Sequence, residues 1–290
     1  MTDAILIAGP TASGKSALAL RLAAEIGGAV INADSQQVYR DWRILTARPS
    51  REDEARVPHF LYGHLGLEEA YSVGHWLRDL EPVLDRCARD GLVPVITGGT
   101  GLYFKGLTDG LAPVPQTPPE IRSQAMERLA EQGLARLAAE LERRDPETAA
   151  MTDLANPRRV MRAWEVLETT GRGLAAWQKA TAPPRLALRR CDARVVLPAR
   201  DVLYARCDTR FDRMLERGVL HEAAAVASLG SGPGAPGLNA LGARQLLAHL
   251  VGEIPLDRAV EEAKTATRRY AKRQLTWARN QMPGWTRITP

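Results

Sequence analysis

Gly9-Pro10-Thr11-Ala12-Ser13-Gly14-Lys15-Ser16 satisfies the pattern G-x-x-x-x-G-K-[ST]. The apolar run Ile5-Leu6-Ile7-Ala8 leads into it, and Ser16 to Ile26 follows with Leu18, Leu22 and Ile26 at helical spacing. A strand that turns through glycines into a helix N-terminus is a cradle for phosphate. Glycines let backbone N–H groups curl around the oxygens, and the helix dipole adds positive potential. Lys15 supplies a point charge for the terminal phosphate, while the Ser16 hydroxyl is the candidate ligand for Mg²⁺. The motif specifies phosphate or pyrophosphate. It does not specify ATP.

The flanking sequence predicts a parallel α/β sheet. Ala29-Val30-Ile31-Asn32-Ala33 reads as a second strand and Val93-Pro94-Val95-Ile96-Thr97 as a third. Between them, Trp76, Leu77, Leu80, Val83, Leu84 and Cys87 recur on one face and predict a helix over 73–90, kinked or broken at Pro82. Strand character returns at Arg194-Val195-Val196-Leu197. Helices are expected over 203–218, 220–229, 241–251 and 256–282. Prolines 113, 115, 118 and 119 open a stretch without strand pattern, with helices over 120–141 and 158–170, and Pro183-Pro184 close it. The expected organisation is a discontinuous α/β core, 1–112 and 184–290, interrupted by a helical module at 113–183.

The chain has 290 residues with Lys+Arg 39 and Asp+Glu 34, a net charge of +5 that permits a polyanionic partner without demanding one. Hydrophobic residues make up 45%, enough for a sizeable core and against global disorder. No apolar run is long enough for a membrane span, and the acidic, short start does not read as a signal peptide. Cys87, Cys191 and Cys207 are scattered and odd in number, which argues against a disulfide framework and favours a reducing cytoplasm.

Four further features have two readings each, the basic clusters being otherwise solvated helix faces. Asp34, just after the second strand, stands where open sheets bind ligands and can take a proton or hold a metal through water; it also caps a helix well, as does Ser35. Gly98-Gly99-Thr100-Gly101 allows close backbone approach to a ligand, with Thr100 offering a hydroxyl, or forms a plain tight turn. Arg158, Arg159 and Arg162 on the helical module lack balancing acids nearby, which points to phosphate contact. Arg268, Arg269, Lys272, Arg273 and Arg279 form either a second basic face or a solvated helix surface. No strand ends in the Asp expected to complete a metal-bound nucleotide site, unless Asp34 serves. The five histidines read as structural.

Several motifs together resemble a family. The phosphate loop, Asp34-Ser35-Gln36-Gln37-Val38-Tyr39, Val57-Pro58-His59, Tyr71-Ser72-Val73 and Gly98-Gly99-Thr100-Gly101-Leu102-Tyr103 occur in its order. So do Arg159-Val160-Met161-Arg162-Ala163-Trp164-Glu165 with Thr170-Gly171, and Tyr270-Ala271-Lys272-Arg273-Gln274-Leu275-Thr276-Trp277. The chain resembles, nearly end to end, the bacterial tRNA dimethylallyltransferases, which prenylate adenosine 37 beside the anticodon. The resemblance implies a P-loop NTPase-like core whose loop, Gly9, Pro10, Thr11, Ala12, Ser13, Gly14, Lys15 and Ser16, holds the pyrophosphate of dimethylallyl diphosphate, with Mg²⁺ at Ser16. It implies a flipped adenosine whose N6 attacks the allylic carbon. Asp34 would be the general base, Thr100 would hydrogen-bond near the reacting amine or the bridging oxygen, and Arg210 would steady the pyrophosphate. The tRNA anticodon stem-loop would meet Asp34, Ser35, Gln36, Gln37, Thr100, Arg122, Arg158, Arg159, Val160, Met161 and Arg162. A monomer without membrane attachment is expected. The chain departs from the family pattern at Gln36 (commonly Met), Leu154-Ala155-Asn156 (Pro-Asn-Asp), Gly242-Ala243 (Gly-Tyr) and His59-Phe60 (His-His).

The same residues admit a small-molecule kinase using ATP, with Asp34 as base and arginines in a lid. A prenyltransferase acting on free adenine nucleotides and a non-catalytic P-loop RNA-binding protein are further readings.

Overall fold

In the first third, apolar runs and helical periods become alternating strands and helices. The computed structural model describes residues 2–289, so Met1 and Pro290, the outermost residues of the expected core, lie outside the described residues. Strands β1 (Ala4–Ala8), β2 (Gly28–Asn32), β3 (His59–Phe60), β4 (Val93–Gly98), β5 (Cys191–Val196) and β6 (Thr286–Ile288) form one six-stranded sheet in the order β3-β2-β4-β1-β5-β6. Every pairing is parallel. β1 and β2 are buried along their whole length, as expected where helices cover both faces of a parallel sheet. Two edge strands were not legible in the sequence, because β3 has two residues and β6 three, too few to show a period of two.

Helix α1 (Lys15–Ile26) follows β1, α2 (Arg51–Arg56) precedes β3, and α3 (Val73–Asp90) leads into β4, from which α4 (Gly101–Asp109) continues. The break expected at Pro82 does not occur. Trp76, Leu80, Leu84 and Cys87 pack into the core from the opposite face, while Pro82 is exposed. Arg78, whose carbonyl loses its amide partner to Pro82, is exposed as well.

The chain divides into two compact units, 1–108 with 186–290, and 109–185. The second unit contains helices α5 (Pro119–Arg144), α6 (Pro146–Met151), α7 (Pro157–Thr170) and α8 (Leu174–Lys179). The single helix expected over 120–141 is divided at Gly133, whose φ of 78° and ψ of 165° interrupt the α ladder. Ala125, Leu137, Val160 and Trp164 form its core. Glu140 joins α5 to α7, accepting from Arg128 at 2.9 Å, Arg144 at 2.8 Å and the Trp164 indole at 3.1 Å. Asn156 caps α7, its Oδ1 accepting from the amides of Arg158 and Arg159.

The first unit closes with α9 (Arg200–Glu216), α10 (Val219–Ser228), α11 (Ala243–Leu250) and α12 (Leu256–Gln281). Leu203 and Cys207 of α9 are buried together with Ala271 and Leu275 of α12. No helix among the described residues is long and apolar enough to cross a membrane.

Candidate active site

Because all strands run in one direction, the turns after β1, β2 and β4 emerge at one edge of the sheet. Backbone bonds lock them together: Gly9 N–H donates to Gly98 O at 3.3 Å, Ala33 N–H to Thr97 O at 2.7 Å, and Thr100 N–H to Ala33 O at 3.2 Å. Gly98 is required by this approach, since a Cβ there would lie 2.0 Å from the Ala33 carbonyl oxygen. The phosphate loop itself turns through Ala12 at φ 60° and Gly14 at φ 92°, both in the left-handed region. Ser13 is fully buried, and its hydroxyl has no partner.

An open pocket lies against this loop. Thr11, Lys15, Ser16, Asp34 and Arg210 supply its polar wall, and Leu45, Phe211, Met214 and Leu241 its apolar wall, with Tyr270 between these types. Lys15 is buried, and its Nζ donates to Pro10 O at 3.2 Å. Burial lowers its pKa from the ordinary 10.5 to about 8; the Asp34 charge opposes that shift and the Arg210 charge adds to it. Arg210 donates from Nη1 to Thr11 Oγ1 at 3.0 Å and from Nη2 to Thr46 O at 3.2 Å. Burial likewise lowers the pKa of its guanidinium. Two desolvated cations beside the phosphate loop and the N-terminus of α1 make a site suited to an anion.

Asp34 is buried and held from several sides. Its amide donates to Asn32 Oδ1 at 2.8 Å, the Asn32 side chain donates to Asp34 O at 3.0 Å, and its Oδ1 accepts from Gln36 N–H at 3.0 Å. No helix follows Asp34, so it is not a helix N-cap: its Oδ1 caps a turn, and the residue lines the pocket. Thr100 is engaged with Ser35. Its hydroxyl accepts from Ser35 N–H at 2.9 Å and donates to Ser35 Oγ at 3.1 Å, and Thr100 is not among the residues lining the pocket. It is bonded to Ser35, next to Asp34. Gln36 and Gln37 both line the pocket but are also engaged within the chain. Gln36 Oε1 accepts from Leu241 N–H at 3.1 Å, and Gln37 Nε2 donates to the carbonyls of Thr46 and Ala47.

On the helical unit, Arg122, Arg158 and Arg159 are exposed and Met161 is half-buried. Val160 does not belong to that surface: its side chain is fully buried between α5 and α7, because the face of α7 that carries it is the one the unit packs inward. The arginines also have acids in reach. Arg159 approaches Asp153 at 3.8 Å, and Arg162 approaches Glu165 at 3.7 Å while donating to Thr117 Oγ1 at 2.7 Å.

The sequence reading missed the apolar wall and Gln274. Gln274 Oε1 accepts from Thr11 N–H at 2.9 Å, and its Nε2 donates to Gly99 O at 2.9 Å. The segment holding Gln274 contributes to the family resemblance, yet nothing in local spacing shows that it reaches back to residues so distant in the chain.

The IPP transferase family model matches residues 37–281, and the isopentenyl transferase model matches residues 2–58. The chain is 58% identical to a tRNA dimethylallyltransferase of Cereibacter sphaeroides (strain KD131), covering 98% of this chain and 88% of the relative. It is 54% identical to a tRNA dimethylallyltransferase of Dinoroseobacter shibae, covering 99% and 94%. The chain belongs to the IPP transferase family. Solved members share its architecture. The full-length tRNA isopentenylpyrophosphate transferase from Bacillus halodurans superimposes with a TM-score of 0.71 at 31% identity, over 100% of this chain and 90% of that one. A eukaryotic dimethylallyltransferase acting on tRNA gives a TM-score of 0.81 at 27% identity, over 96% and 70%. Its family membership and its parallel sheet together make the core of this chain P-loop-like α/β.

Proposed function

We propose that this chain transfers the dimethylallyl group of dimethylallyl diphosphate to N6 of adenosine 37 in tRNA and releases pyrophosphate. One observation carries the reading of the donor: a single pocket joins an anion cradle to an apolar wall. A short prenyl chain ending in a diphosphate presents that combination. A nucleoside triphosphate presents a polar ribose and a further phosphate instead. The strands flanking β1 add to this. β4 ends in Thr97-Gly98 and β5 in Val195-Val196, so neither supplies an acidic strand end beside the loop.

In the proposed reaction the N6 lone pair forms a bond to the allylic carbon as the carbon–oxygen bond breaks. That bonding pair leaves on the bridging oxygen of pyrophosphate. Lys15, Arg210 and the loop amides stabilise the charge that develops there, a term worth more in a desolvated site than in water. Asp34 accepts the N6 proton and passes it to solvent. Thr100 and Asn32 hold the turn so that this carboxylate faces the pocket.

Mg²⁺ fits the donor set in a limited way. Asp34 is the one carboxylate lining the pocket, and the described residues contain no cluster of three His, Cys, Asp or Glu side chains. An ion would therefore be held by Ser16 and by diphosphate oxygens and water, the usual manner for Mg²⁺, and would neutralise charge on the leaving group. For tRNA, the exposed Arg122, Arg158 and Arg159 on the helical unit support contact with the anticodon stem-loop backbone.

The test is to offer the protein labelled dimethylallyl diphosphate with tRNA and, separately, labelled ATP. Transfer of label from the prenyl donor to tRNA is expected. Turnover of ATP alone would reject the proposal in favour of a kinase, and equal activity on AMP would redirect it to free nucleotides.

A further inference from the structure

We infer that Gln274 is a positioning residue for prenyl transfer, its one carboxamide setting the diphosphate cradle against the turn that carries the general base. The inference rests on the proposed function. Beyond the last backbone bond between the two turns, Gly9 N–H to Gly98 O, the phosphate loop and the Gly99-Thr100 turn separate. Gln274 spans them. It accepts from Thr11 N–H and donates to Gly99 O, each at 2.9 Å.

Each end continues into the chemistry. Thr11 also holds Arg210 through its hydroxyl, so the anchored loop carries one of the two pocket cations. Gly99 precedes Thr100, whose hydroxyl holds Ser35 beside Asp34. The connection thus runs from Arg210 through Thr11, Gln274, Gly99 and Thr100 to the Asp34-Ser35 turn.

Gln274 has a firm base, since Ala271, Leu275 and Ala278 on the same helix are buried. The contact is also tight: a Cβ on Gly99 would lie 2.2 Å from Gln274 Nε2. The chemistry demands an amide. Thr11 N–H needs an acceptor and Gly99 O needs a donor, and a carboxamide offers both in one plane. Glutamate lacks the donor; methionine, of similar length, offers neither a comparable donor nor a comparable acceptor.

The experiment compares wild-type full-length protein with Gln274→Met and Gln274→Glu. It measures the single-turnover rate with saturating tRNA and dimethylallyl diphosphate, and the pyrophosphate Kd by calorimetry. Gln274→Met should lower the rate on the order of a hundredfold, the scale of a misplaced reacting group, while the pyrophosphate Kd stays within about threefold. Gln274→Glu, which still accepts from Thr11, should lose less. A Gln274→Met rate within about twofold of wild type would overturn the inference. So would parallel losses of rate and pyrophosphate affinity, or failure of both variants to fold, because either marks a merely structural residue. An inactive wild type would instead overturn the proposed function, and this inference with it.

Discussion

Arg210 donates from Nη1 to the Thr11 hydroxyl at 3.0 Å, tying α9 to the phosphate loop across 199 residues of sequence. A buried guanidinium held this way is fixed before any ligand arrives, so it adds electrostatic stabilisation without reorganising. Arg210→Lys keeps a charge but loses the fork that reaches Thr11 and Thr46 together. It should lower kcat/KM about a hundredfold with the fold intact, measured by steady-state prenylation beside a thermal melt.

Asp34→Asn keeps the turn-capping oxygen and removes the proton acceptor. The expected result is a fall in kcat of roughly 10²–10⁴ with near-normal pyrophosphate binding. Intact product formation with weakened binding would assign Asp34 to binding alone.

Lys15 makes the pocket sensitive to pH. Its pKa in the ligand-free protein is about 8, so its charge is lost as pH rises through that value. Pyrophosphate affinity should fall on the order of tenfold between about pH 7 and pH 9.5, and Lys15→Met should flatten that dependence. The stability effect has the opposite sign. Between about 8 and 10.5 the unfolded chain holds this proton and the folded chain does not. This group therefore makes the ligand-free protein more stable as pH rises across that window.

Neighbouring residues on α7 should behave differently. Arg159 is exposed, so Arg159→Ala should weaken tRNA binding and reduce its salt slope by about 1. Val160 is fully buried, so Val160→Ala should cost about 2 kcal/mol of stability and leave the salt slope unchanged. Filter binding across a salt series, paired with denaturant melts, separates the two.

Gly98→Ala places a methyl group 2.0 Å from the Ala33 carbonyl oxygen and 2.1 Å from its carbonyl carbon, backbone atoms that cannot rotate away. A loss of about 3 kcal/mol or failure to fold is expected, read from urea titration. A stable variant would show that β2 and β4 can separate at their ends.

The strand–loop–helix at 4–26 was readable because glycine spacing, apolar strand and helical period all occur within one short window. The prolines at 113–119 and 183–184 lie near the bounds 109 and 185 of the second compact unit. What escaped shares one physical character: it depends on partners distant in sequence. Gln274 reaches Thr11 and Gly99, and Leu241 and Phe211 meet Leu45 in the pocket, with no local pattern to announce either. Thr100 shows that a residue type does not announce its partner within the chain, here Ser35. Val160 is buried, since a motif carries core residues along with surface ones.

Mass spectrometry of nuclease-digested tRNA from cells lacking this chain, with and without the wild-type protein restored, tests prenylation of tRNA most directly. Loss of one prenyl group from adenosine 37, regained with the wild type and not with Asp34→Asn, is the expected result. Adenosine 37 carrying the same prenyl group in all three samples would contradict it.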